Sequence, residues 1–151
     1  SLTLTHCGST PIPYGCGFHP FFSFDKRSTV QFAASGYWPE GEQHLPLNWQ
    51  SHLPGYADFS HPQYGEDRWL NVGYSGWSGR ARIVSNVMNI AILSQTSWLM
   101  LFRMQGEPFL CLEPQTHPVN AHNMDGQPGL RVLGTGDTLN FSLKIDVQGR
   151  E

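Results

Sequence analysis

Apolar and polar residues alternate along several short segments of this chain, which is the pattern of strands with one buried face. The clearest segment places Leu139, Phe141, Leu143, Ile145 and Val147 between polar residues. Shorter segments of this kind cover residues 2–5, 29–34, 80–85, 89–94 and 97–103. No comparable segment has apolar residues at helical spacing. The pattern therefore predicts an all-β fold, namely a largely antiparallel β-sandwich.

Turn-forming residues separate the predicted strands. Gln95-Thr96 lies between two apolar segments and predicts a tight hairpin, although it lacks the favoured glycine. Gly106-Glu107-Pro108 predicts a second turn. Residues 35–68 form a long polar region without a clear period. Loops of this length are usually functional or flexible.

Composition agrees with short strands in one compact unit. The 151 residues fit a single domain, residues 1–151, that is long enough to bury a real core. Only 14% of residues are charged, while glycines and prolines number 16 and 11, which suits many turns. The net charge is −3 and the nine lysines and arginines form no cluster, so nucleic acid is not an expected partner.

The cysteines and the apolar runs indicate the cellular compartment in which the protein is expected. Three cysteines are an odd number without a disulfide pattern, so free thiols in a reducing environment are expected. No signal peptide and no apolar run of membrane-spanning length is present, so we expect a cytoplasmic protein with no membrane partner. The chain begins inside the alternating segment 2–5, so a fragment or processed product is expected.

Glu113 is the first candidate for chemistry. It ends the apolar run 109–112, and Pro114 follows at once and is expected to end regular pairing, because proline has no N–H to donate. A strand that stops at a carboxylate and opens into a polar loop can present a base to a pocket. The alternative is an ordinary surface glutamate at a strand end.

His19 is the second candidate. It lies between Phe18 and Pro20 in an aromatic segment, residues 17–24, most of whose phenylalanines are expected in the core. Such a histidine is either a hydrogen-bonded core residue or a catalytic group. Cys16 and His19 have the spacing of a partial zinc site, but no second pair of ligands accompanies them. We therefore expect no metal.

Four segments together resemble the aldose 1-epimerase (galactose mutarotase) family. Residues 110–123, LCLEPQTHPVNAHN, resemble the motif around the family's catalytic glutamate. Residues 13–22, PYGCGFHPFF, resemble its Gly-x-His-Pro-Tyr/Phe-Phe segment. Residues 74–83, YSGWSGRARI, and 129–137, GLRVLGTGD, are similar to two further segments. The four occur in the family's order, and they match only about the C-terminal half of a usual member.

The resemblance implies a large β-sandwich of the galactose mutarotase-like type and a mutarotase activity on a free hexose such as galactose or glucose. It implies that Glu113 is the base and His19 the acid, with no cofactor. The residues that it implies for substrate binding are Asn71, Tyr74, Trp77, His117 and Asn123. Aromatic residues in or beside 35–68 could pin that loop or form a wall for a sugar ring.

Three departures from the family pattern matter. Asn71 stands where the family usually has an aspartate that binds sugar hydroxyls, and an amide lacks the charge-assisted strength of a carboxylate. Ser78 replaces an acidic residue common after Gly-Trp. The family also draws an arginine and a further histidine from its N-terminal half, to which nothing here can be matched.

Other functions stay open on the sequence. A non-catalytic carbohydrate-binding module would keep the aromatic wall but need no acid–base pair. An epimerase for sugar phosphates would need a cationic pocket, for which no basic cluster is available. A structural fragment would be inactive without its complement. Because half of a sandwich exposes strand edges, pairing with a complementary N-terminal chain or self-association is expected.

Overall fold

The computed structural model describes residues 1–64 and 67–150. These residues form strands and two short 3-10 helices, Glu42–His44 and Ala121–Asn123, but no α-helix. The strands in chain order are β1 Leu2–Thr5, β2 Ile12–Tyr14, β3 Phe21–Ser23, β4 Thr29–Phe32, β5 Gly36–Trp38, β6 Gln63–Tyr64, β7 Leu70–Ser75, β8 Arg80–Val84, β9 Met88–Ser94, β10 Trp98–Arg103, β11 Phe109–Gln115, β12 Arg131–Leu133, β13 Thr138–Phe141 and β14 Leu143–Gly149. Within the described ranges, no helix is long and apolar enough to cross a membrane.

Two five-stranded antiparallel sheets make up most of the fold. The first sheet has the order β3-β11-β10-β7-β5, and the second has the order β14-β9-β8-β4-β6. Two further ribbons pair β1 with β13 and β2 with β12. The predicted all-β antiparallel sandwich is confirmed.

The core lies between the two five-stranded sheets. Alternate residues of the first sheet, such as Leu101 and Leu112, are fully buried, as are Ile83 and Ile92 of the second sheet. Phe32 of the second sheet meets Tyr74 of the first edge to face, with ring centroids 4.9 Å apart. The remaining residues of the first sheet therefore present a second face, away from this core, which we call the site face.

The strands predicted at 2–5, 29–34, 80–85, 89–94 and 97–103 are observed as β1, β4, β8, β9 and β10. The hairpin predicted at Gln95-Thr96 is wrong. β9 pairs with β8 and β14 in the second sheet, whereas β10 pairs with β7 and β11 in the first. Both strands bury apolar residues in the same core from opposite sides, so the two-residue link crosses between the layers.

The single long strand predicted at the C-terminal end is also wrong in part. The alternation covers two strands, because β13 pairs with β1 and β14 pairs with β9. The change of partner occurs at Ser142, whose carbonyl accepts a hydrogen bond from the Ser94 hydroxyl at 2.8 Å. Alternation continues through this change because successive side chains point to opposite sides of a strand whichever strand is its partner, although Ile145 and Val147 of β14 are exposed.

Pro114 does not end the pairing of its strand, as the sequence suggested. β11 continues to Gln115, and Pro114 lies opposite Leu99 of β10. The Pro114 carbonyl accepts a hydrogen bond from the Phe18 amide, 3.0 Å away. In an antiparallel ladder the N–H and C=O of one residue point to the same side. The missing N–H therefore faces the irregular segment around Phe18, and the ladder with β10 is intact.

Candidate active site

His19 and Glu113 meet on the site face of the first sheet. Nε2 of His19 lies 3.2 Å from Oε1 of Glu113, within hydrogen-bonding distance. The His19 side chain is 53% exposed, whereas that of Glu113 is only 11% exposed. An accessible imidazole thus touches a largely buried carboxylate at the edge of the open face.

Backbone register places the two side chains together. Phe21 of β3 pairs with Cys111, and an isolated bridge pairs Gly17 with Gln115. Both pairs belong to one antiparallel register, in which residue 19 lies opposite residue 113. His19 therefore faces Glu113 across the gap between two fixed hydrogen-bonded positions. The sequence identified both residues, but this cross-strand relationship depends on the fold.

Burial sets the electrostatics of Glu113. Desolvation raises the pKa of Glu113 above its ordinary value, while the charge of His19 acts in the opposite direction. The thiol of Cys111, two residues earlier on the same face, has its pKa raised to about 12 by burial and by the neighbouring Glu113 charge. The carboxylate is therefore the group of this cluster that is suited to accept a proton.

Aromatic rings hold the imidazole. His19 stacks on Phe21 with ring centroids 4.9 Å apart and an interplanar angle of 13°, and it meets Phe102 edge to face. Most phenylalanines of the aromatic segment were expected in the core; Phe22 and Phe24 are buried there, whereas Phe21 is 63% exposed. The difference follows from alternation, since Phe21 shares the site face with Cys111.

A second carboxylate lies on the same face. Both oxygens of Glu40 accept hydrogen bonds: Oε2 from Nε1 of Trp69 at 2.6 Å, and Oε1 from Nδ2 of Asn71 at 2.8 Å and from Nδ1 of His44. Burial raises the pKa of Glu40, but the three hydrogen bonds outweigh burial and leave the pKa below its ordinary value. Glu40 therefore stays ionised.

A cavity of about 200 Å³ adjoins this second carboxylate. Its lining consists of Trp38, Glu40, His44, Pro46, Asn71, Gly73, Met100 and Val119. Met100 lies opposite Gly73 on one side and opposite Glu113 on the other. The cavity is therefore separated from Glu113 by one strand, β10.

Of the residues that the resemblance implied for substrate binding, Asn71 lies on the site face. Tyr74 faces the core, is 1% exposed and donates a hydrogen bond to the Ala57 carbonyl. Trp77 is also buried and donates to the Arg80 carbonyl. Alternation explains Tyr74, since the residues on either side of it along β7 face the opposite way. The structure does not bring these two aromatic side chains to the His19–Glu113 pair.

His117 and Asn123 lie in the segment after β11. His117 packs against Gly15, where an added Cβ would come within 1.9 Å of the imidazole, and its ring meets that of His122. Asn123 is exposed and donates to the Asn120 side chain. Instead it is Val119 of this segment that lines the cavity, where it covers Gly73.

One group of side chains within the described ranges has the composition and spacing of a metal site. The ligand atoms of His19, Cys111 and Glu113 all lie within 4.8 Å of one another. Imidazole, thiolate and carboxylate are the ligands that zinc prefers. Three protein ligands with an exposed histidine leave room for a further ligand.

A larger cavity, about 540 Å³, lies away from the acid–base pair. It is bounded by Trp77, Arg80, Thr96 and Lys144 among others, at the link between the two sheets. Its lining contains no carboxylate and no histidine. Chemistry by proton transfer therefore favours the smaller cavity, which is lined by Glu40 and His44 and lies one strand away from Glu113.

Sequence analysis missed Glu40 as a site residue. The available signal was the position of Glu40 next to a proline at the end of a strand. Pro39-Glu40 directly follows β5, and Glu113-Pro114 lies near the end of β11. The region 35–68 shows no period, so the short strand that would have drawn attention to Glu40 was not predicted.

Comparison with known proteins identifies relatives and structures that share this fold. No protein-family model matches the chain. The uncharacterized protein YphB of Escherichia coli (strain K12) is 31% identical over 159 residues, which cover 98% of this chain and 55% of YphB. The crystal structure of a candidate aldose 1-epimerase from Escherichia coli K12 aligns with a TM-score of 0.92 and 29% identity, over 98% of this chain and 55% of that one.

More distant structures share the fold. A galactose mutarotase-like protein from Clostridium acetobutylicum aligns with a TM-score of 0.78 and 16% identity, over 98% of this chain and 51% of that one. The structural neighbours are thus aldose 1-epimerase and galactose mutarotase-like proteins, as the sequence motifs indicated. The chain spans about half the length of the relatives it matches.

Proposed function

We propose that this chain carries the acid–base centre of an aldose 1-epimerase, which interconverts the α and β anomers of a free hexose such as galactose or glucose. The observation that carries the proposal is the 3.2 Å contact between His19 and Glu113 on the open face of an aldose 1-epimerase-like fold. A shared fold alone would not identify a reaction, so the argument rests on this pair.

Mutarotation requires one base and one acid at the anomeric carbon. Glu113 accepts the proton of the C1 hydroxyl, and Nε2 of His19 donates a proton to the ring oxygen. The bond between C1 and the ring oxygen then breaks, and C1 becomes an aldehyde. After rotation about the C1–C2 bond, the hydroxyl adds back to the other face and both protons return. The reaction needs no net change in either residue.

The direct contact of the two groups suits this chemistry. The hydroxyl oxygen and the ring oxygen are both bonded to C1, so a neighbouring acid and base can reach both of them. The raised pKa of Glu113 makes its carboxylate a stronger proton acceptor than an exposed glutamate. His19 is exposed enough to meet a sugar, while its stacking on Phe21 fixes the orientation of the ring.

The same proposal includes a complementary chain segment. In this proposal, residues 1–151 are the C-terminal part of a longer sandwich, and a complementary N-terminal chain or a second copy covers its open edge. The support is the outer strand β14, where Ile145 and Val147 are 40% and 61% exposed. A cytoplasmic location, supported by the free thiols of Cys7, Cys16 and Cys111, completes the proposal.

Polarimetry of freshly dissolved α-galactose and α-glucose tests the proposed activity. We expect the chain to accelerate the approach to anomeric equilibrium, and Glu113→Gln and His19→Ala to lose about 10²–10⁴-fold of the rate. Glu107→Gln, at an exposed turn, is the matched control and should keep the rate. Full activity in either site variant would overturn the assignment. Sugar binding without acceleration would favour the carbohydrate-binding module.

A further inference from the structure

Glu40 is an ionised, partly buried carboxylate that the acid–base mechanism does not use. Its side chain is 18% exposed, and it lines the cavity beside β10. A charge held away from water is costly unless it is paired or hydrogen-bonded. Glu40 has three hydrogen-bond donors among the described residues. A carboxylate offers about four acceptor positions, so one position is left for a ligand hydroxyl.

The loop that carries Glu40 is tightly closed. Leu47 donates to the Pro39 carbonyl at 2.8 Å, and Gly41 donates to the Leu45 carbonyl at 2.7 Å. Between them, Gln43 and His44 both have positive φ angles, 55° and 62°, which side-chain-bearing residues seldom adopt. This conformation turns His44 back onto Glu40. The carboxylate is therefore held in place from the loop as well as from the sheet.

Asn71 and Glu40 form a matched pair. Nδ2 of Asn71 donates to Oε1 of Glu40 at 2.8 Å, which an ionised aspartate at position 71 could not do. An aspartate there would place two like charges in contact and would donate nothing. The asparagine that departs from the family pattern is thus required by the neighbouring carboxylate, which brings the negative charge to this place from a different segment of the chain.

The strand register places Asn71 two strands away from β11, which carries Glu113. Asn71 lies opposite Phe102 on β10, and Phe102 lies opposite Cys111 on β11. The two outer positions are thus two strand spacings apart, about 10 Å between backbones. Side chains extending inward from both sides narrow this gap. Met100 and Phe102, between them, form an apolar floor, and Val119 occupies the space over Gly73, where an added Cβ would lie 2.8 Å from it.

We infer that Glu40, oriented by Asn71 and Trp69, binds a hydroxyl at the end of the hexose remote from the anomeric carbon, at C3 or C4. This inference rests on the proposed function. It makes Glu40 a specificity-determining residue, since hexoses differ in the orientation of the hydroxyl at C4. Trp69, which is 41% exposed and whose ring is nearly perpendicular to that of Phe102, supplies the adjoining apolar wall.

Calorimetric titration of the chain with galactose and glucose tests the inference. Hydrogen bonds to charged groups contribute about 1.5–3 kcal/mol, so we expect Glu40→Gln to weaken binding of the preferred sugar by about tenfold or more. Glu42→Gln, two residues away and exposed, is the matched control. The 3-deoxy and 4-deoxy sugars identify the hydroxyl: the analogue that lacks it should bind wild type and Glu40→Gln equally.

A second variant guards against a merely structural effect. Glu40→Gln combined with Asn71→Asp moves the carboxylate to position 71 while keeping one amide beside it, so it should recover binding that Glu40→Gln has lost. Unchanged binding in Glu40→Gln, or a loss of equal size for every deoxy sugar, would overturn the inference. Binding that depends on Glu40 without polarimetric activity would instead overturn the proposed function alone. No binding of either sugar to wild type would overturn both.

Discussion

Two carboxylates on one face of the first sheet, Glu40 and Glu113, have pKa values shifted in opposite directions. Burial dominates at Glu113 and raises its pKa, whereas at Glu40 burial is outweighed by hydrogen bonds from Asn71, His44 and Trp69, and the pKa is lowered. Such divergence commonly separates the acid–base group of a site from its binding group. The two environments therefore suit the different tasks that we propose for two chemically identical side chains.

The first prediction concerns the pH dependence of mutarotation. Because burial raises the pKa of Glu113, the base becomes protonated at a higher pH than an ordinary glutamate would. We expect the acid limb of the rate profile to have its midpoint above about 4.3, the usual glutamate value. Initial rates by polarimetry across the acidic range measure it. A midpoint at or below the usual value would contradict the burial argument.

The second prediction concerns stability. As pH rises above the ordinary glutamate pKa, the unfolded chain loses the Glu113 proton before the folded chain does, so the folded state becomes less stable. This loss is complete above the raised folded-state pKa. Glu113→Gln should therefore be more stable than wild type near neutral pH, and this advantage should disappear below about pH 4. Urea unfolding at both pH values measures the difference, with Glu107→Gln as control.

The third prediction concerns the ring that stacks on His19. Phe21 is largely exposed, so Phe21→Ala removes little buried area, but it removes the stacking partner of the imidazole. Aromatic pairs contribute about 0.5–1.5 kcal/mol, so we expect the rate to fall roughly two- to tenfold while the unfolding free energy changes little. Phe22→Ala, at the buried neighbour, should instead lower the unfolding free energy and change the rate little. A rate unaffected by Phe21→Ala would show that stacking does not position His19.

The fourth prediction concerns added metal. The ligand atoms of His19, Cys111 and Glu113 converge, so Zn²⁺ should bind them and slow mutarotation, and a chelator should restore the rate. The Cys111 pKa of about 12 means that binding must displace a proton, so inhibition should strengthen as pH rises. The ratio of rates with and without Zn²⁺ is the measurement. Equal ratios in wild type and Cys111→Ser would exclude binding through the thiol.

The fifth prediction concerns the open edge of the second sheet. Val147 on β14 is 61% exposed, and a lysine on an edge strand opposes pairing with another chain. We expect wild type to associate in light scattering, and Val147→Lys to shift it toward the monomer. Gln148→Lys adds the same charge on the same strand without removing an apolar side chain, so it should associate more than Val147→Lys. A wild type that stays monomeric at every concentration would refute pairing with a second copy.

Sequence periodicity predicted some of the strands, but not β7 or the short strand β5, and it did not predict the partners of any strand. The alternation of residues 89–94 and 97–103 located β9 and β10, yet the two strands lie in different sheets. The alternation from Leu139 to Val147 likewise continues across a change of partner at Ser142. Alternation reports only that successive side chains point to opposite sides of a strand. Partner choice depends on residues far apart in the chain.

The sequence likewise predicted some residues of the candidate site but not all of them. Motif resemblance identified His19, Glu113 and Asn71, but it also implied Tyr74, whose side chain points into the core from the opposite face of β7. Glu40 was not identified, because its position depends on a loop that carries no period and on hydrogen bonds to residues about thirty positions away. The catalytic roles of His19 and Glu113 stay predictions until activity is measured.

The register that sets His19 opposite Glu113 also limits which insertions and deletions the gene for this protein can accept. Side chains alternate between the two faces, so inserting or deleting one residue between Gly17 and Phe21 would turn the imidazole away from the carboxylate. Loss of one codon here would thus act like loss of the histidine itself. Among variants selected for the proposed activity, this segment should tolerate substitutions at Phe18 far better than any change in its number of residues.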